Sequence, residues 1–141
     1  MLTDAVKNAY ISILKEELVP ATGCTEPIAI AYAAARLRAV LGARPEKIRA
    51  EVSGNIIKNV KSVIVPNTGG LKGIRAAVAA GVVAGEPDRI LQVISHVPAQ
   101  LHPDIAAYAQ EAPIEIVCSD TPRLLDIRLT GWAGEHSACV H

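Results

Sequence analysis

The sequence predicts an α+β fold, with a mixed, mainly antiparallel sheet packed against alanine-rich helices in a single domain. Three observations point there. Stretches of strict alternation, Lys47–Val52 above all, are interleaved with stretches of helical apolar spacing. The alternating stretches near the C-terminus follow one another through short turns, which favours antiparallel pairing. The 141 residues suffice for one hydrophobic core and are too few for two.

Thr3 or Asp4 can cap a first helix to about Leu18, with Val6, Tyr10, Ile13, Leu14 and Leu18 as its buried stripe. Pro20 and Gly23 break that pattern. Thr25 caps a second helix that runs to about Leu41, with Pro27 in the first turn, where a missing N–H has no helical partner to lose. Gly42 stops it. Lys47–Val52 puts Lys47, Arg49 and Glu51 on one face and Ile48, Ala50 and Val52 on the other, a half-solvated strand. Ser53–Val60 reads as a turn or short helix, and Ser62–Val65 as a short buried strand ending at Pro66. An alanine-rich helix follows from about Leu71 to Ala84, stopped by Gly85 and Pro87. Asp88 can cap a helix to about His96, and Pro103–Gln110 suggests another. Ile114–Cys118, Leu124–Thr130 and Glu135–His141 complete the expected strands, joined by turns at Ser119–Pro122 and Gly131–Gly134.

Half of the residues are hydrophobic and a fifth charged, with 14 basic against 14 acidic side chains. The balance gives no electrostatic reason to expect nucleic acid or an anionic membrane as partner, and little protection against self-association, so a homo-oligomer is expected. One Trp, three Tyr and no Phe leave no stacking platform for single strands. No apolar run is long enough to span a bilayer and no signal-peptide pattern opens the chain, so the expected location is cytoplasmic. Three widely spaced cysteines make no disulfide framework.

Three segments carry candidate chemistry. Pro20-Ala-Thr-Gly-Cys-Thr-Glu-Pro27 sets Cys24 in a loop that opens a helix, where unpaired N–H groups and the helix dipole favour thiolate; Cys24 is a candidate nucleophile, base or metal ligand. From physics alone, a lone cysteine is more often buried and inert. Ser53-Gly-Asn-Ile-Ile-Lys-Asn59 gathers Asn55, Lys58 and Asn59 just past a strand end, as donors and charge for a carboxylate or as ordinary turn residues. Val65-Pro-Asn-Thr-Gly-Gly-Leu-Lys-Gly73 is a glycine-rich loop running into a helix, suited to an anion but without P-loop spacing. The histidines at 96, 102, 136 and 141 have no zinc-site spacing with the cysteines. Cys118 shares parity with Ile114 and Ile116 and is expected in the core.

Taken together, Gly23-Cys-Thr-Glu-Pro27, the Lys58-Asn59 pair and Val65-Pro-Asn-Thr68 occur in an order and spacing that resembles the L-cysteine desulfidase family, related to the alpha chain of iron–sulfur L-serine dehydratases. The likeness is to the N-terminal portion only. It implies a lyase that eliminates sulfide from L-cysteine, or water from L-serine, giving pyruvate and ammonia without pyridoxal phosphate. It further implies a 4Fe-4S cluster, held by three cysteines of a C-terminal part, with one iron open to substrate. Cys24 then matches the family's catalytic N-terminal cysteine, and Asn55, Lys58, Asn59, Asn67 and Thr68 become candidates for holding the small amino-acid substrate. Cys118 and Cys139 do not match the cluster ligands, so no metal ligand is assigned in this chain. The expected partner is a C-terminal domain or separate subunit, and this chain is expected to be inactive by itself with an apolar interface left open. The rival expectation is a noncatalytic, self-associating module that closes the same face in a symmetric oligomer. A redox-cysteine protein ranks behind both.

Overall fold

The computed structural model describes residues 10–11 and 25–141. Its elements are β1 (Tyr10–Ile11), α1 (Thr25–Leu41), β2 (Lys47–Ser53), α2 (Gly54–Val60), α3 (Ile74–Ala84), 3-10 turns at Pro87–Gln92 and Ala99–Leu101, α4 (His102–Glu111), β3 (Ile114–Ser119), β4 (Ile127–Ala133) and β5 (His136–Val140). The strands form one mixed sheet in the order β1-β5-β4-β2-β3. β2 is antiparallel to β4 and β4 to β5, whereas β3 runs parallel to β2 and β1 parallel to β5. The α+β class read from the sequence is the class observed.

α1 forms because its alanines and leucines are strong helix formers, with Glu26 in the first turn and Arg38 in the last complementing the helix dipole. Gly42, at a φ of 80°, ends it by returning its N–H to the Arg38 carbonyl at 2.9 Å. Alanines leave no polar face, and the helix is buried on all sides from Ala29 to Ala35 and at Leu37 and Leu41. One side lies on β4 and β5, the other on α3.

The α1–α3 contact is very close. A Cβ on Gly81 would fall 2.1 Å from the Ala31 carbonyl oxygen, and one on Gly85 would fall 2.7 Å from the Ala35 Cβ. Arg38 crosses the same interface and donates to the carbonyls of Val82 (2.8 Å) and Gly85 (2.6 Å), which closes the C-terminal end of α3. Burial, and secondarily the nearby Arg44 guanidinium, lowers the Arg38 pKa from its ordinary value. Arg75 does the equivalent work for α4. Its guanidinium donates to Ala109 (2.8 Å), Ala112 (2.9 Å) and Ile114 (2.7 Å), tying the end of that helix to the start of β3.

The sheet turns Ile48, Ala50, Val52, Ile127, Leu129, Ala138 and Val140 toward the helices, all buried. Gly131 belongs to this face because a Cβ there would sit 2.8 Å from Leu37 Cδ2. The opposite face carries Lys47, Arg49, Glu51 and Arg128, with the Lys47 ammonium 5.3 Å from the Trp132 ring centroid.

Several expectations need correction. Within the expected first helix, Tyr10–Ile11 is a strand parallel to β5; the rest of that segment lies outside the described residues. Ser62–Val65 is no sheet strand. Val65 donates to Leu71, Gly73 donates to Val63, and Ile64 bridges to Lys72, so the segment folds back on its own loop and leaves Ile64 half exposed. The next helix begins at Ile74, because Gly70 and Gly73 hold φ near 98° and 93°. The expected helix from Asp88 is a 3-10 turn broken by Ile90 at a φ of 52°, a strained position for a β-branched residue. Cys118 is exposed rather than in the core, because β3 is the sheet edge and its later residues are only thinly covered by helix.

Gly81→Ala is expected to destabilise the fold by at least ~3 kcal/mol, since the backbone of α1 stands where the new methyl must go. Gly54→Ala, whose Cβ would meet Cys118 Sγ at an ordinary 3.6 Å, is expected to stay within ~0.5 kcal/mol. Removing the Arg75 clamp (Arg75→Ala) is expected to remove about 2–4 kcal/mol. Urea unfolding of the three variants beside the parent measures this ranking.

Candidate functional site

β2 delivers its chain to one end of the sheet and α2 begins at once. Ser53, fully buried, is the hinge: its N–H donates to the Asp126 carbonyl (2.9 Å) and its hydroxyl to the Leu124 carbonyl (2.8 Å). The hydroxyl is therefore not available to cap α2, whose first turn has no side-chain cap bond from Ser53. α2 buries Ile56 and Val60 and turns Lys58 and Asn59 to solvent, with Asn55 half buried. Asn59 Nδ2 donates to Glu26 Oε2 at 3.5 Å, a long bond that links the end of α2 to the first turn of α1. Two of the three candidate segments therefore meet, one through Glu26 and the other through Asn59. Cys24, two residues before Glu26 in the sequence, lies outside the described residues.

The third segment is held by its own hydrogen bonds. Thr68 is buried, donates to the Val65 carbonyl (2.7 Å) and accepts the Leu71 N–H (3.2 Å), which shapes the glycine-rich turn from within. Asn67, at a φ of 61°, donates from Nδ2 to the Ile94 carbonyl at 2.8 Å and fastens the loop to the segment after the 3-10 turn. Beneath the loop lies the His102 ring; a Cβ on Gly69 would fall 3.1 Å from its Nδ1. His102 Nε2 is buried with no hydrogen-bond partner among the described residues.

A polar pair not singled out from the sequence lies at the same sheet end as Ser53. His141 Nε2 and Asp126 Oδ1 are 2.6 Å apart, both side chains largely shielded. The hairpin register explains it. Leu129 pairs with Val140, so His141 falls opposite Arg128 and diagonal to Asp126 on the same face. That register was the only available signal, and it needs the turn at Gly134–Glu135 rather than the longer one expected.

Two open depressions lie elsewhere on the described surface. One, about 360 Å³, is lined by Arg44, Glu46, Asp104, Tyr108 and Glu111 among others. Arg44 pairs with Asp104 at 3.1 Å and stacks 5.7 Å from the Tyr108 ring, whose hydroxyl donates to the Pro45 carbonyl. The other, about 500 Å³, is a mainly apolar groove between α3 and α4 bordered by Lys72, Arg75 and Gln110. Neither is lined by Asn55, Lys58, Asn59, Asn67 or Thr68.

The described residues do not fit an iron–sulfur cluster. Cys118 belongs to the helix-side face of the sheet and Cys139 to the opposite face, with β2 and β4 between them. Among the described residues no three His, Cys, Asp or Glu side chains gather as a metal site. No described helix is long and apolar enough to cross a membrane.

The chain is similar to proteins named UPF0597. It is 57% identical over 127 residues to one from Desulfitobacterium hafniense, a match that covers 90% of this chain and 30% of that protein. A Treponema denticola protein is 52% identical over 123 residues, covering 86% and 28% respectively, and one from Shewanella baltica is 38% identical over 131 residues, covering 93% and 31%. The chain thus spans less than a third of the length of these relatives. No family model matches, and no solved structure matches. The relatives' name corrects the L-cysteine desulfidase resemblance drawn from Gly23–Pro27, Lys58-Asn59 and Val65–Thr68. Part of that resemblance consists of Asn, Thr and Gly residues whose observed hydrogen bonds and φ angles answer to loop geometry, which many families share.

Burial pushes the Tyr108 phenol up from 10.0 to about 12, against a smaller opposing effect of the Arg44 charge. The folded state therefore favours the neutral ring. Its contribution to stability is intact below the ordinary value near 10 and is lost as pH rises toward 12. The stability advantage of the parent over Tyr108→Phe is expected to be constant from pH 7 to 9.5 and to shrink above pH 10, read from urea midpoints at each pH.

Proposed function

We propose that this chain is the N-terminal part of a longer lyase, free of pyridoxal phosphate, that carries out β-elimination on L-cysteine or L-serine. The observation that carries the reading is the Asn59–Glu26 link, which draws the first turn of α1, next in sequence to Cys24, against the Asn55–Asn59 segment. Lys58 is exposed beside it and offers an ammonium for the substrate carboxylate, with Asn55 and Asn59 supplying amide donors and acceptors. Cys24 as thiolate takes the α-proton while the β-substituent leaves as hydrosulfide or hydroxide, which takes that proton back from the Cys24 thiol to give hydrogen sulfide or water. The resulting aminoacrylate becomes an imine that water hydrolyses to pyruvate and ammonia. Asn67 and Thr68 serve the reading by fixing the glycine-rich loop through their bonds to the Ile94 and Val65 carbonyls. Any cluster in the longer protein would take ligands from beyond the described residues, and no step is drawn through it. The proposal includes a cytoplasmic location, in keeping with the unpaired thiols of Cys118 and Cys139.

The test is turnover by the full-length protein, prepared without oxygen, with L-cysteine and L-serine supplied separately and pyruvate, ammonia and sulfide measured. Cys24→Ala is expected to lower kcat by about 10²–10⁴, and Lys58→Ala to raise KM with a smaller change in kcat. A folded full-length protein that turns over neither amino acid would remove the lyase reading.

A further inference from the structure

We infer that the outer edge of β3 is a docking surface for an extended segment of the longer protein, which adds to the sheet as a further strand beside β3. β3 ends the strand order, with β2 on its inner side. Ile48 donates its N–H to the Pro113 carbonyl at 3.0 Å, so the main chain of Glu115 and Val117 also turns toward β2. The main-chain groups of Ile116 and Cys118 therefore point away from the sheet. At Ile114 the outward carbonyl is already taken by Arg75, which marks where the open stretch begins.

The side chains agree with the main chain. Ile116 and Cys118 are register partners of Ala50 and Val52 and so belong to the helix-side face. Ala50 and Val52 are fully buried there, yet Ile116 is 37% exposed and Cys118 is exposed. Leu124, held beside Ser53 by the Ser53 hydroxyl, is 71% exposed. Among the described residues, exposed Ile116 and Cys118 thus lie along a strand edge with no pairing strand. Edges that stay open in water are usually blunted by proline, charged side chains or a bulge; Ile114–Ser119 has no proline or lysine, and Glu115 is its one charged residue.

The occupant is the rest of the protein's own polypeptide. The relatives are more than three times as long as the part this chain matches, so most of such a protein has yet to be packed somewhere. β3 runs parallel to β2, so the far end of the open edge, Cys118–Ser119, lies beside Val52–Ser53 and the start of α2. A strand docked there would bring new residues alongside Asn55. That would complete a site which the described residues form only as a wall. The inference shares with the proposed function the longer protein and nothing of the chemistry; its readout is accessibility rather than turnover, so the two can fail separately.

Residue-resolved hydrogen exchange on the full-length protein tests it, with Glu115 and Val117 as internal controls because their amides bond to β2. The amides of Ile116 and Cys118 are expected to exchange within about tenfold of those controls, and the Cys118 thiol to resist alkylation. Ile116→Pro removes one outward donor without touching the β2–β3 ladder. It is expected to expose Cys118 to alkylation by at least about tenfold while Glu115 and Val117 stay protected. Ile116 and Cys118 amides that exchange freely in the full-length parent would overturn the inference. Protection that vanishes on dilution to the monomer would overturn it too, by assigning the edge to a second copy.

Discussion

Everything in this fold is arranged around the closeness of α1 and α3. Gly81 and Gly85 present no side chains where Ala31, Ala34 and Ala35 press against them, and the α1 backbone occupies the space a methyl would need. Such an approach gains dispersion contacts over the whole helix surface, which small side chains could not supply at an ordinary helix spacing. It also brings Arg38 within reach of the last carbonyls of α3. A charged donor satisfying two helix-end carbonyls in a half-buried place adds direction to packing that alanines by themselves leave unspecific.

From that contact the remaining layers follow. α1, covered by α3 on one side, can lay its other side on β4 and β5, where Gly131 makes room for Leu37. α3 then carries α4, and Arg75 fastens the end of α4 to the first residue of β3. The helices thus cover the middle of the sheet and the start of β3 at Ile114 but leave the rest of β3 thinly covered, so Ala50 is sealed and its partner Ile116 is not. The first turn of α1 is brought against α2 by the same arrangement, since a helix pinned along its length carries its start to a fixed place.

Much of the fold was legible in the sequence because its periodicities were clean. Alternation in Lys47–Val52 and the run from Thr25 to Leu41 between a cap and Gly42 translate directly into β2 and α1. Ser62–Val65 misled because β-branched residues specify extended backbone without saying what it pairs with; here the partner is the following loop. Ile114–Cys118 alternates as a core strand should, but parity names a face, not whether anything covers it. At the candidate site, it is the resemblance that makes Asn55, Lys58, Asn59, Asn67 and Thr68 candidates for holding substrate. Local bonding, invisible in a linear pattern, holds Thr68 and Asn67 to nearby carbonyls and leaves Asn55, Lys58 and Asn59 turned outward. The Asp126–His141 pair was hidden for the opposite reason: its two residues become neighbours only once the β4–β5 register is known.

The same geometry bears on the exposure of the polar groups along α2. Lys58 and Asn59 are exposed at the end of a seven-residue helix, where solvent competes for each donor and a carboxylate would be bound weakly. Binding strength and control of a proton both require water to be excluded from that surface. The described residues leave Lys58 and Asn59 exposed and Leu124 in solvent next to the sheet end. The sheet is open on the side of β3, and exposed Ile116 and Leu124 are apolar groups there able to gain from losing water.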